Sequence, residues 1–118
     1  MKEDNPRLKS WRYDVGMAAQ EVFGDKPLIT GPVRLGITFY LQRPKAHYRT
    51  GKNKHLLKDS APSFPIVMPD LTKMLRAAED ALKGVIWKDD SQVIAQETYK
   101  AYIPLDQAQG AWVRVLVI

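Results

Sequence analysis

"PDLTKMLRAAEDALKGVIWKDDSQV", residues 69–93, carries two kinds of order at once. Leu71, Met74, Leu75, Ala78 and Leu82 recur at the spacing of one helix face, while Asp70, Glu79, Asp80, Asp89 and Asp90 set acids before, along and after that run. Asp70 stands at the helix entrance, where a carboxylate accepts from exposed amides and is favoured by the helix dipole. Gly84 stands where a C-terminal cap belongs. "VIW" then passes through "KDDSQ", a polar turn, into apolar alternation. The stretch predicts a helix, an acidic turn and the start of a strand.

Working outward, "VRLGITFYL" (33–41) puts Val33, Leu35, Ile37, Phe39 and Leu41 on one face, as a half-buried strand does. Between Leu8 and Phe23, Trp11, Val15, Ala18, Val22 and Phe23 recur at helical spacing, with Gly24 as the stop. "VIAQETYKAYI" and "AWVRVLVI", joined by "PLDQAQG", read as an antiparallel hairpin. Helix, strand, long loop, helix, acidic turn, strand and strand make an α+β fold of two layers, helices packed on one small mixed or antiparallel β-sheet. Trp11, Trp87 and Trp112 each fall in amphipathic or apolar segments and are assigned to the core.

The chain has 118 residues, the size of one domain with a real core. At 45% hydrophobic and 26% charged residues it reads as an ordinary globular protein. The absence of cysteine excludes disulfides, thiolate zinc sites and a cysteine nucleophile. No apolar stretch approaches the roughly 20 residues of a membrane span, and "MKEDNPRLKSW" lacks the apolar core of a signal peptide, so a cytoplasmic location is expected.

The net charge of +5 is mostly local. "RPKAHYRTGKNKHLLK" (43–58) carries Arg43, Lys45, Arg49, Lys52, Lys54 and Lys58 without an acid, with His47, Tyr48 and His55 interleaved. Clustered cations release counterions from a polyanion, and the rings can stack or donate hydrogen bonds, so this loop (about 43–69) is the candidate phosphate-facing segment. A solvated basic loop is the bland alternative. Its length favours a role, because long irregular loops inside a domain are uncommon unless functional or disordered.

Taken singly, Asp70 is a cap and Asp89 and Asp90 are turn formers. Taken together, acids at a helix start and on the loop beyond it suit a hard cation such as Mg²⁺, which binds few carboxylates and keeps positions open for water and phosphate oxygens. Other chemistries find no support, since there is no glycine-rich phosphate loop and no His-Glu-x-x-His. His47 and His55 have no nucleophile partner and are poor company for zinc.

Residues 69–93 resemble the core motif of the RusA family of Holliday-junction resolvases. Its usual form runs Asp-Leu-Asp-Asn-Leu, a Lys or Arg, Leu-Asp-Ala-Leu, a glycine-containing turn and Asp-Asp-Ser/Ala-Gln-Val, with every spacing preserved here. "GPVRLGITFYLQRPKAHYRTG" is also similar to actinobacterial or phage members. The resemblance implies a single RusA-like domain over 1–118, acting as a homodimeric Mg²⁺- or Mn²⁺-dependent endonuclease that places paired nicks in four-way DNA junctions during recombination and repair. It implies Asp70 and Asp90 as metal ligands and catalytic acids, with Asp80, which matches the family's Asp-Ala-Leu, as a further candidate ligand. Arg76 takes the place of a catalytic basic residue, able to hold a phosphate though a poor proton donor. Lys73 joins the basic loop among the expected DNA contacts.

Thr72 stands where the family has its second aspartate. Either the site is weakened, or Glu79, two turns along the same face and roughly 10 Å further in helical rise, supplies the acid. Asp80 is a ligand or a partner of Arg76. Family members generally begin with a strand and a Gly/Pro-rich segment before the first helix, whereas this sequence starts at or near the helix, and the resemblance leaves open whether that strand is missing here. Three readings follow: a metal-dependent junction endonuclease, a noncatalytic junction-binding protein with a degenerate metal site, and a dimeric structural or regulatory module whose basic loop binds another polyanion.

Overall fold

The computed structural model describes residues 6–103 and 110–117, and for 110–117 the backbone alone. A first helix, α1 (Pro6–Phe23), leads to strand β1 (Val33–Leu41), a long excursion, helix α2 (Leu71–Leu82) and strands β2 (Val93–Tyr102) and β3 (Gly110–Val117). The helices pack on one another, and Gly16 of α1 lies where an added Cβ would sit 3.7 Å from the Cβ of Ala81. Two layers of α+β type result, as the periodicities predict.

The sheet corrects one expectation. Its order is β2-β1-β3, with β1 parallel to β2 and antiparallel to β3, so the last two strands do not form a hairpin. The physical reason lies in β1. Val33, Leu35, Ile37, Phe39 and Leu41 are all at most 2% exposed, and a strand buried this deeply needs partners for the polar groups of both its edges. β2 carries exposed Ile94, Gln96, Glu97 and Tyr99 and suits an edge. A parallel pair requires a long crossover, and the connection through α2 supplies it.

Leu8, Trp11, Val15 and Ala19 of α1, and Met74, Ala78 and Leu82 of α2, close over β1, with Ile86 and Trp87 completing the core. Trp11 meets Phe39 edge-on, ring centroids 5.5 Å apart. The buried stripe of α1 runs through Ala19, not Ala18, and Val22 is exposed, because the register set by Leu8, Trp11 and Val15 continues in steps of four. Trp112 lies outside the described side chains.

α1 ends at Phe23 and the amide of Gly24 bonds back to Gln20. α2 ends at Leu82 with Lys83 as its C-cap, and Gly84 takes φ +81°, the left-handed turn expected of it. The segment between β1 and α2 is folded back on itself. Short 3₁₀ turns at Lys45–His47 and Gly51–Asn53 lie in its first half, and Tyr48 bridges Leu57.

Candidate functional site

Asp70 occupies the N-cap position of α2 in extended backbone geometry, yet its side chain makes no capping hydrogen bond. The carboxylate is exposed, with Lys73 Nζ 4.0 Å away. Its local structural role is therefore small. Lys73, proposed from the sequence for DNA, stands beside an acid.

The acidic turn is built differently. Asp89 caps the 3₁₀ turn Asp90–Gln92, accepting from the Ser91 amide at 3.1 Å, and these bonds hold its carboxyl below the usual range. Gln92 completes the box. Its Oε1 accepts from the amides of Lys88 and Asp89, and its Nε2 donates to the carbonyls of Ile29 and Gly31 at 2.7 and 3.0 Å. The turn is thereby tied to the segment entering β1. Asp90, half-buried, accepts from the indole nitrogen of Trp87 at 2.9 Å, through Oδ1. A buried tryptophan thus orients a carboxylate that has a second oxygen.

Glu79 is half-buried on α2 and accepts from Gln96 Nε2 of β2 at 2.8 Å. Burial raises its carboxyl above the usual glutamate range, the Gln96 bond works against this, and the charges of Asp90 and Asp80 raise it further. The structure therefore brings Glu79 into electrostatic reach of Asp90. Thr72, Arg76 and Asp80 are exposed on α2. Among the described residues no three acidic or imidazole side chains converge on one point. Mg²⁺ usually takes one or two carboxylates and fills its other positions with water and phosphate oxygens, and Glu79 and Asp90, close enough for their charges to act on one another, fit that smaller requirement.

The basic loop divides into two groups. Arg43 donates to the carbonyl of Pro62 at 2.7 Å and lies over the Tyr102 ring, 4.3 Å from its centroid, while His47 meets the same ring edge-on. Arg49 donates to the carbonyl of Leu57 and pairs with Asp59 at 3.3 Å. These two arginines fasten the loop. Lys45, Lys52, Lys54 and Lys58 have exposed side chains.

The chain has a counterpart among known proteins. The family described as Endodeoxyribonuclease RusA matches residues 3–109. The chain belongs to the RusA endodeoxyribonuclease family. It is also 29% identical over 99 residues to an uncharacterized protein, YqaN, of Bacillus subtilis (strain 168), an overlap of 84% of this chain and 68% of that protein. RusA membership makes DNA the expected partner. Among the described residues no helix is long and apolar enough to cross a membrane.

Three residues that were given no role from the sequence now support the candidate site. Gln92 had a legible signal, since Asp89 and Gln92 are spaced as a capping box. Gln96 and Lys100 lie inside a strand and carried none.

Proposed function

We propose that this RusA-family protein is a divalent-metal-dependent endonuclease that resolves four-way DNA junctions by paired phosphodiester cleavage, as a homodimer of one domain spanning residues 1–118. The observation that carries this reading is the anchoring of Asp90: Trp87 holds one oxygen of a carboxylate that lies within electrostatic reach of Glu79. Acids kept close despite mutual repulsion are a recurrent feature of functional sites.

Asp90 with Glu79 would hold Mg²⁺ or Mn²⁺, and Asp70, at the start of the helix that carries Glu79, and Asp80 on its exposed face are the further candidate ligands. Bound there, the metal would supply Lewis acidity at the scissile phosphate and a more acidic water. Arg76 offers a guanidinium to a phosphate oxygen from the same helix. Lys45, Lys52, Lys54 and Lys58 hold the DNA backbone through charge.

The test is a labelled four-way junction incubated with and without Mg²⁺ or Mn²⁺. Symmetric nicks that need the metal are expected. The exposed hydroxyl of Thr72 in place of an acid favours a second reading, a junction-binding protein with a degenerate metal site. Tight binding without cleavage at any metal concentration would establish it.

A further inference from the structure

We infer that Lys100 is a positioning residue for the Asp70 end of the site, an inference that rests on the function proposed above. In the register of the parallel pair, Lys100 lies beside Phe39, whose side chain is buried under the helices, so Lys100 leaves β2 on the helix-facing side. Its Nζ donates to the carbonyl of Val67 at 2.7 Å and to that of Pro69 at 3.1 Å. Pro69 is the residue immediately before Asp70.

The stretch it grips has little else to hold it. Pro65 and Pro69 are buried at its ends, but Ile66, Val67 and Met68 between them are 90, 54 and 63% exposed. Apolar packing therefore does not fix the backbone from 66 to 68. An ammonium bridging two carbonyls does, and it sets the direction from which the chain enters α2. The Asp70 carbonyl accepts from the Met74 amide, but its side chain makes no capping bond, so the direction of that side chain depends on how the chain enters α2. The ammonium is largely committed to these carbonyls, which distinguishes Lys100 from the exposed lysines of the loop.

The experiment compares wild type with Lys100→Met, which keeps the apolar stem, and Lys100→Arg, which restores a multiple donor. In metal-free protein, hydrogen exchange of the amides in 66–72 should quicken about tenfold in Lys100→Met, with exchange in β1 unchanged, and Lys100→Arg should recover most of the protection. Single-turnover cleavage at saturating junction should slow by about tenfold and need more metal, while junction affinity and its salt dependence stay at wild-type values. Unchanged exchange at 66–72 would overturn the inference. So would faster exchange with a wild-type cleavage rate, or a loss of affinity with a shallower salt slope, which would make Lys100 a phosphate contact. If wild type itself fails to cleave, the proposed function falls and the exchange comparison alone decides the role of Lys100.

Discussion

The indole nitrogen of Trp87 donates to Asp90 Oδ1 at 2.9 Å, joining the core to the acidic turn through one hydrogen bond. Trp87 is 0% exposed, so its donor has no water to fall back on. Asp90→Asn retains an oxygen acceptor and should leave the fold intact while lowering cleavage by more than about a hundredfold. Asp90→Ala should also cost about 1–3 kcal/mol of stability, because the buried N–H loses its partner. Asp70→Asn should match Asp90→Asn in cleavage, with junction binding intact or tighter, since phosphate then meets less negative charge. Urea unfolding and junction cleavage on the three variants check this set.

Glu79 gives a prediction with a definite sign. Its carboxyl is raised, first by burial and then by Asp90 and Asp80, so the folded state holds the proton more tightly than the unfolded chain does. The resulting stability is full below the unfolded value and is lost as pH rises through the folded one. Glu79→Gln removes that loss. The variant should therefore be more stable than wild type at neutral pH, by less than about 1 kcal/mol because water screens a part-exposed group. The difference should vanish below about pH 4. Cleavage should fall in the same variant, which is the signature of an acid kept for function at a cost in stability. A stability difference that is the same at pH 7 and pH 4 would mean that ionising Glu79 does not strain the fold.

Thr72 is exposed on α2 two residues after Asp70, so an acid can enter there without disturbing the core. Thr72→Asp should lower the metal concentration needed for half-maximal cleavage by about tenfold, through one more oxygen ligand on a hard cation. A metal titration of cleavage measures it. If Thr72→Asp and Glu79→Gln both leave activity unchanged, the noncatalytic binder is the better account.

Much of the fold was legible because its signals are local. The alternation of Val33 to Leu41 and the helical spacing of Met74, Ala78 and Leu82 each report burial of a face, and the structure buries those faces. Strand order was not legible. β2 and β3 are neighbours in sequence and both alternate, but nothing local reveals that β1 needs a partner on each edge. The same limit applies to the site. Asp70 and Asp90 stood out as acids at a helix start and a turn, whereas Gln96 reaching Glu79 and Lys100 reaching Pro69 depend on pairing between distant segments. Within the loop, Arg43 and Arg49 resemble the lysines around them in sequence, and only the fold brings Pro62, Tyr102 and Asp59 up against them.

Gln92 tests whether the acidic turn must be rigid. Its amide satisfies two backbone donors in the turn and two carbonyls before β1. Gln92→Ala should cost about 2–3 kcal/mol, less than a sum over four bonds because water replaces part of them. Cleavage measured well below the unfolding transition should still drop about tenfold, as Asp90 loses its fixed turn. Gln92→Glu keeps an acceptor for the two amides but places a carboxylate against two carbonyls, and should be no more stable than Gln92→Ala.

The basic loop offers the sharpest separation between fold and binding. Arg43 and Arg49 are tied to Pro62, Tyr102, Leu57 and Asp59, so Arg43→Ala should loosen the loop and lower thermal stability. Lys52, Lys54 and Lys58 project from exposed positions, and replacing all three with alanine should leave the melting temperature unchanged. Every phosphate that a lysine no longer neutralises takes about 0.9 off the slope of log affinity against log salt. The triple variant should therefore bind a four-way junction more weakly at low salt and approach wild type as salt rises. A salt titration of binding, with thermal unfolding alongside, reads both quantities. Parallel slopes at equal stability would mean that these lysines face only solvent, and the DNA path would then have to run over another part of the surface.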